Sequence, residues 1–259
     1  MDESPPIPES PPAVAPAPTS LAARLLNVFA VPGDVFAEVK AAPVSIGNWL
    51  VPMLLVLALS LASTALIYSQ PAVKQQLREQ QDQVIQKLVA RGWVTQEQAN
   101  AQRVKAGDSS NLLPFLGAAV GQAILTPFWW GLILWLLGLV VFKAKFQYMK
   151  AVEVAGLTSA ITGLGIVVST LMVVGLGNMF ASPSPTLLLK HFDPQKPSHS
   201  FLAVVNIVTF WVLVVRAIGL ARLAGVPVLR AAFWVFGLWF TYMSLILSVG
   251  LGVRGLLGL

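Results

Sequence analysis

Five long stretches of the chain carry no Asp, Glu, Lys or Arg, and each is long enough to hold a membrane-crossing helix. These stretches are 41–73, 109–142, 154–189, 197–215 and 231–253. A helix needs about 20 apolar residues to cross the hydrocarbon core. There every backbone N–H and C=O must find its partner within the protein. The pattern therefore predicts an all-α membrane protein, a five-transmembrane-helix bundle.

The predicted spans differ in their internal detail. They are 47–68, 112–142, 152–180, 201–220 and 231–251. Trp49 and Tyr68 bound the first, as expected of aromatic residues at the two membrane interfaces. The second is longer than a straight crossing requires. Pro127 either kinks it as a single span or separates an interfacial segment from the span that follows. In the third, Gly156 and Ala160 form a small-xxx-small pair, which favours close helix packing.

Three segments outside the spans have patterns of their own. Residues 1–19 are rich in proline and have no apolar periodicity, which predicts a disordered tail. Residues 20–43 have apolar positions at helical spacing around a Pro-Gly-Asp turn, which predicts two interfacial amphipathic helices. Residues 70–110 are polar and include the capping-box sequence TQEQ at 95–98. They predict a helical extramembrane insert after the first span.

Composition and charge narrow the class of protein further. Hydrophobic residues make up 56% of the chain and charged residues 11%, whereas soluble domains carry about a quarter charged residues. The absence of cysteine excludes disulfides, thiolate catalysis and cysteine-based metal sites. The net charge of +6 comes from basic residues between spans. Membrane orientation and anionic lipid headgroups explain them without nucleic acid.

Two compact basic loops indicate an orientation. Their members are Lys143, Lys145 and Lys150 between the second and third spans, and Arg222 and Arg230 between the fourth and fifth. Basic residues in short loops favour the cytoplasmic side of a membrane. We therefore predict a cytoplasmic N-terminus, and we expect these loops to contact anionic headgroups.

Few polar side chains within the spans are available for chemistry. Glu153 lies one turn from Lys150, and an ion pair with Lys150 or with Arg216 is one interpretation of it. A transport or proton role is the other, because ionisable residues within spans are often functional. Asn178 and Asn206, near the third span's end and in the fourth span, either line a polar cavity or form interhelical hydrogen bonds.

Motifs of catalysis and metal binding are absent from the sequence. His191, Asp193 and His199 are metal-ligand types, but their irregular spacing on a proline-broken loop does not favour a site. No H-E-x-x-H, G-x-S-x-G or phosphate-loop motif occurs. The sequence therefore predicts no catalytic residues, no bound metal, no cofactor and no enzymatic activity.

Three stretches resemble parts of bacterial Yip-domain proteins. They are VFAVPGDVFAEVKAAP at 28–43, FKAKFQYMKAVEVAGLTSAI at 142–161 and FWVLVVRAIGLARLAGVPVLRAAFWVFGLW at 210–239. The first resembles the lead-in to that family's first span, the second its basic loop, and the third its last two spans. The polar insert with the TQEQ helix start is also similar to bacterial members.

This resemblance implies five spans with a cytosolic N-terminus, in a bacterial protein of the cytoplasmic (inner) membrane. Eukaryotic members bind prenylated Rab-type GTPases, but their Asp-Leu-Tyr-Gly-Pro type motif is not present here. We expect a non-enzymatic membrane organiser or adaptor that binds a protein partner or lipid. The alternatives are a solute or ion permeation protein and an accessory subunit of a larger complex. The expected interfacial anchor or docking residues are Phe29, Pro32, Gly33, Asp34 and Phe36.

Overall fold

The computed structural model describes residues 19–101, 112–189, 192–193 and 196–257, apart from the side chains of 251 and 253–257. The predicted proline-rich tail up to residue 18 and the end of the insert at 102–110 lie outside the described residues. In chain order the helices are α1 (Leu21–Ala30), α2 (Pro32–Ala41), α3 (Gly47–Ser69), α4 (Pro71–Ala90), α5 (Leu113–Leu136), α6 (Tyr148–Leu176), α7 (Pro197–Val204), α8 (Ile207–Ala224) and α9 (Val228–Leu257).

Five of these helices are long and apolar enough to cross a membrane, which confirms the predicted five-span bundle. They are α3, α5 with its π-helical continuation Leu137–Val141, α6, α8 and the Val228–Gly250 part of α9. In the bundle α6 is central, since it packs against α3, α5 and α8, and α9 packs on the outer side of α8. The polar positions of the sequence thus lie mainly at the two ends of the bundle.

Small residues allow α6 to approach its neighbours closely. A Cβ added to Gly156 would lie 2.8 Å from the carbonyl oxygen of Asn48 at the start of α3. On another face of the bundle, a Cβ added to Gly131 of α5 would lie 2.7 Å from a methyl carbon of Val152. Such close backbone approach is how helices gain van der Waals contact in lipid, where burial of apolar surface gives no net driving force.

The N-terminal helices α1 and α2 lie beneath the bundle and form part of its core. Val28, Phe36 and Val39 are fully buried at 0% exposure. A Cβ added to Gly219 of α8 would lie 3.3 Å from the ring of Phe36, so glycine makes room for that ring. On the other side of the turn, the ring of Phe29 meets Trp211 edge to face at 5.7 Å.

The fourth span is interrupted where the sequence predicts a continuous helix over 201–220. Helix α7 ends at Val204, and α8 begins at Ile207 after two residues of non-helical backbone. Gly165 of α6 packs against Val208, about 16 Å before the end of α6 at 1.5 Å per residue. The break therefore lies at depth within the bundle. There the carbonyl of Pro183 accepts the Ile207 N–H at 3.2 Å, so this irregular backbone is paired within the protein.

The second span continues through Pro127, where the sequence left open a kink or a division. Helix α5 runs without interruption from Leu113 to Leu136. Its irregular part comes later, as the π-helix Leu137–Val141. At that point Gly138 faces the ring of Phe146, so the change of helical pitch coincides with the entry of an aromatic ring.

The insert after the first span is helical, as predicted. Gln76 of α4 forms two bonds to the backbone that follows α6: its Nε2 donates to the Gly177 carbonyl at 2.6 Å, and its Oε1 accepts the Met179 N–H at 3.0 Å. A further helical stretch covers 96–101. The predicted capping box is confirmed by two reciprocal bonds, from the Thr95 N–H to Gln98 Oε1 and from the Gln98 N–H to Thr95 Oγ1.

Candidate functional site

A group of polar side chains, of which all but Glu38 are buried, joins α1, α2, α3 and α6 at the base of the bundle. Its members, named here the base network, are Arg24, Glu38, Asn48, Lys150 and Glu153. Glu153 is completely buried at 0% exposure, and Asn48 is 1% exposed. Polar groups at such depth are stable only when they are hydrogen-bonded, and charges only when they are also paired.

Glu153 is the centre of the base network. Its Oε1 accepts the backbone N–H of Ser45 at 2.6 Å, and its Oε2 accepts Nδ2 of Asn48 at 3.1 Å. The ammonium of Lys150, one turn earlier on α6, lies 3.4 Å from Oε2. One carboxylate thus binds the loop before α3, the first turn of α3 and its own helix.

Lys150 connects this centre to the end of α2. Its Nζ donates to the carbonyls of Val39 at 2.7 Å and Pro43 at 3.0 Å. A cation at a helix C-terminus is favourable because the terminal carbonyls carry a partial negative charge. Lys150 therefore stabilises the α2 terminus and neutralises Glu153 at the same time.

Arg24 extends the base network to α1. Its Nη1 donates to Oδ1 of Asn48 at 3.4 Å, and its Nε lies 3.5 Å from Oε2 of Glu38 on α2. The hydroxyl of Thr19 also donates to Glu38. Arg24 is only 9% exposed, so it needs these acceptors, and they fix α1 beside α2 and α3.

The base network fastens the N-terminal helices α1 and α2 to the rest of the bundle. Each of its three most buried charges, on Arg24, Lys150 and Glu153, has an opposite charge within 3.5 Å. Removing one member of such a pair leaves an uncompensated buried charge, which is strongly destabilising. Because its donors and acceptors bond to one another, the network holds α1 and α2 and leaves little capacity for a substrate.

Of the two ion pairs that the sequence allows for Glu153, the structure contains the one with Lys150. Arg216 forms no ion pair with Glu153; its guanidinium carbon instead lies 4.0 Å from the centroid of the Trp130 ring. The sequence places Arg216 near the end of a span. It lies in the middle of α8, because the break before Ile207 shifts that helix toward the C-terminus.

Asn178 and Asn206 cap backbone rather than line a cavity. Oδ1 of Asn178 accepts the Phe180 N–H at 3.0 Å, just after the end of α6. Oδ1 of Asn206 accepts the N–H groups of Val208 at 2.9 Å and Thr209 at 3.4 Å, so Asn206 is the N-cap of α8. Asparagine is favoured at this position because its side chain satisfies amides that the helix leaves free.

The expected docking residues are only partly accessible. Phe36 is completely buried and cannot contact a partner without local unfolding. Phe29, Pro32 and Gly33 are half-buried, and Asp34 is exposed in the first turn of α2. The Pro-Gly-Asp turn starts α2 with proline at its first position, where no amide hydrogen is needed.

The basic residues likewise include both exposed and buried side chains. Lys143, Lys145, Arg222 and Arg230 are exposed and are available to headgroups. Lys150 is only 8% exposed and belongs to the base network, so the expected headgroup contact is wrong for this residue. A sequence count of basic residues does not show which cation is buried by helices from elsewhere in the chain.

Arg24, Glu38 and Asn48 are members of the site that the sequence patterns did not indicate. A signal is present for Arg24, which lies between Leu21 and Val28 on the apolar face of α1. A charge on an apolar helical face has to find a buried partner. For Glu38 and Asn48 no comparable signal exists, because each lies in a segment whose packing depends on the whole bundle.

The predicted weakness of the histidine loop as a metal site is unchanged by the structure. His191 lies outside the described residues. The backbone N–H of Asp193 donates to Nδ1 of His199 at 3.0 Å, which occupies that ring nitrogen. Within the described part of the chain no group of three His, Asp or Glu side chains is arranged to hold a metal.

A known protein family matches most of the helices described above. Residues 26–250 match the family model described as the Yip1 domain. The matched region includes the second half of α1, all of α2 and the five spans, so the base network except Arg24 lies within it. No curated protein and no solved structure gives a match.

Proposed function

The chain belongs to the Yip1-domain family, and from that premise we propose that it is a non-enzymatic membrane adaptor that binds a protein partner on α1. One observation carries this proposal: α1 and α2 are fastened to the bundle by buried polar bonds, yet α1 has a second apolar face that nothing in the described structure covers. A fixed helix with an open apolar face is suited to binding rather than to anchoring alone.

The open face of α1 is formed by residues at helical spacing. Ala22, Leu26 and Ala30 are all exposed, and Leu26 is 72% exposed. Val31, next along the chain, is 45% exposed. Exposed apolar residues grouped on one helix commonly mark contact with a protein or a membrane. The fastening holds this face in one orientation, so less conformational entropy is lost when a partner binds.

The exposed cations around the base support a second part of the proposal, contact with anionic headgroups. Lys143 and Lys145 lie in the loop after the π-helix, and Arg230 lies in the first turn of α9. Basic residues next to membrane helices attract the anionic leaflet, by about 1 kcal/mol each. These contacts orient the bundle and bring the open face of α1 close to the membrane surface, on the side that we infer to be cytoplasmic.

A cross-linking experiment tests the partner-binding face. The chain contains no cysteine, so Leu26→Cys can carry a photoactivatable cross-linker without background. The matched control is Leu171→Cys, which is 65% exposed on α6 but lies at lipid depth. In native membranes we expect one discrete protein adduct from position 26 and none from position 171.

Two results decide the outcome of this experiment. A discrete adduct that is lost in the variant Ala30→Asp, which places a charge on the same face, supports the adaptor. Only lipid adducts from position 26, equal to those from position 171, would contradict it. Deletion of residues 1–43 is not a suitable test, because it removes Val28, Phe36 and Val39 from the core.

Transport is the second candidate, and the interrupted fourth span favours it. Broken helices at membrane depth form the substrate sites of many transporters. Here, however, Asn206 and the carbonyl of Pro183 already bind the amides at the break. Uptake or leakage in proteoliposomes, abolished by Asn206→Leu and not by Asn178→Leu, would establish transport in place of the adaptor.

A further inference from the structure

Arg216 differs from every other buried charge in the described structure because it lacks a compensating partner. It is 4% exposed. Its Nε is completely buried and forms no hydrogen bond, and no carboxylate among the described residues pairs with it. Arg24, Lys150 and Glu153 are buried to a similar degree, and each has an opposite charge nearby. A buried charge without a partner is costly.

The contact with Trp130 leaves the hydrogen-bonding edge of the guanidinium free. The guanidinium carbon lies 4.0 Å from the ring centroid, so the ring interacts with the cation through its face. The N–H groups of arginine point outward in the guanidinium plane and form a fork that matches a phosphate. The two Nη atoms form no hydrogen bond with the described residues and, unlike Nε, are not fully buried. They are therefore the part of this 4% exposed side chain that lies nearest to a ligand.

The depth of Arg216 is compatible with a headgroup phosphate. One turn farther along α8, Gly219 contacts Val154 of α6, and two residues beyond Val154, Gly156 contacts Trp49 at the start of α3. Arg216 therefore lies near the level of Trp49, an expected interface residue. It is nevertheless in the middle of α8 because the second half of that helix continues past this level. Basic pockets between transmembrane helices at this level are a known way to bind lipid phosphates.

We propose that Arg216, with Trp130 beneath it, forms a binding site for a phosphate group between α5 and α8. The phosphate comes from an anionic phospholipid or from free inorganic phosphate, which present the same oxyanion to the fork. This site is separate from the open face of α1, and the proposal does not depend on the adaptor function.

The test uses the full chain, freed of lipid in an uncharged maltoside detergent. Its thermal unfolding is followed by tryptophan fluorescence during titration with phosphatidylglycerol and, separately, with inorganic phosphate. A ligand that binds only the folded state raises the melting temperature in proportion to its excess over the dissociation constant. We expect a rise of several degrees for the wild type and its loss in Arg216→Gln.

The matched control is Arg78→Gln. Arg78 is an exposed arginine of α4, which contacts the C-terminal end of α6, and it is not one of the cations assigned to headgroup contact. We expect this variant to respond as the wild type does. Without added ligand, Arg216→Gln should melt no lower than the wild type, because it removes an uncompensated buried charge. Arg216→Lys keeps the charge and loses the fork, so its shift should be reduced.

The outcomes decide whether Arg216 forms a phosphate site and which ligand occupies it. A shift with phosphatidylglycerol alone assigns the site to a lipid headgroup, and a shift with inorganic phosphate as well assigns it to a free oxyanion. Absence of a shift with either ligand overturns the proposal, as does an equal shift in Arg216→Gln. If Arg216→Gln does not fold, an unreduced shift in Arg216→Lys overturns it. Cross-linking at position 26 is unaffected by any of these results.

Discussion

Glu153 shows how a charged side chain can be structural at a position where sequence reasoning also allows a transport or proton role. Three groups share its two carboxylate oxygens, namely the Ser45 N–H, the Asn48 amide and the Lys150 ammonium, and Glu153 is completely buried. The sequence shows the Lys150–Glu153 spacing of one helical turn. It cannot show the other two donors, since they come from residues more than 100 positions away.

Removal of this carboxylate charge should loosen the base. We expect Glu153→Gln to lower the free energy of unfolding by about 3 kcal/mol, because Lys150 is left as an uncompensated buried cation. The measurement is unfolding in mixed micelles. Glu79→Gln is the control: among the described residues Glu79 bonds only to the exposed Gln75, and an exposed substitution changes stability by about 0.5 kcal/mol or less.

A double variant separates the charge from the shape of the site. Lys150→Met combined with Glu153→Gln removes both charges and should recover part of the loss, since replacing both partners of a buried pair is much less costly than replacing one. A single Glu153→Gln variant as stable as the wild type would contradict the structural role of this residue.

At the scale of elements, the apolar runs predict the spans well, while their ends and interruptions depend on tertiary contacts. Helix α6 begins at Tyr148 although the predicted span begins at Val152. The polar residues Lys150 and Glu153 can lie in its first turns because α2, the start of α3 and the loop between them supply their partners. The break before α8 has a weak sequence signal, since Asn206 is a favoured N-cap type. In a continuous apolar run, that signal does not distinguish a cap from an interhelical hydrogen bond.

The glycine contact between α2 and α8 provides a test at this scale. We expect Gly219→Ala to destabilise the protein by about 1–3 kcal/mol, the usual cost of overpacking, because its methyl group would meet Val154 and the ring of Phe36. The expected readouts are a lower melting temperature and faster tryptic cleavage at Arg24, which is buried while α1 is fastened.

Gly237→Ala is the matched control, since a Cβ there would meet nothing within 4 Å. Alanine is the better helix former by about 1 kcal/mol, so this variant should be unchanged or slightly stabilised. If the two variants behave alike, the close contact of α2 with α8 does not contribute to stability.

For the whole molecule, the number of spans follows from the sequence more directly than the side on which each loop lies. Uncharged stretches of sufficient length are local properties of the chain. The described residues contain five helices long and apolar enough to cross a membrane, and the fourth uncharged stretch is divided between α7 and α8. Orientation depends on basic residues whose exposure is set by folding. Lys150, for example, is buried and contributes nothing to the exposed charge of its loop.

Cysteine labelling in intact cells tests the arrangement as a whole. Ala37, Gln81 and Leu229 are exposed. Ala37 lies in α2 before the first span, Gln81 in α4 after it, and Leu229 in the first turn of α9. With a cytoplasmic N-terminus and five crossings, a membrane-impermeant maleimide should label Gln81→Cys in intact cells. It should label Ala37→Cys and Leu229→Cys only after lysis.

The reversed labelling pattern would invert the orientation and keep the five crossings. Labelling of positions 81 and 229 from the same side would contradict the number of crossings between them. The unmodified chain is the control, since it has no cysteine.

The fastening of α2 to α8 also has a consequence for biosynthesis. Lys40 Nζ donates to the carbonyl of Arg222, 182 residues later in the chain. At about 5–20 residues per second, the ribosome needs about 10–40 s to add that length. Throughout that time the buried faces of α1 and α2 lack α8, and neither helix can take its final place. The helices that are synthesised first therefore reach their final packing only after α8 has been made. Until the fourth span is inserted, the apolar faces of α1 and α2 need to be shielded from water and from other chains.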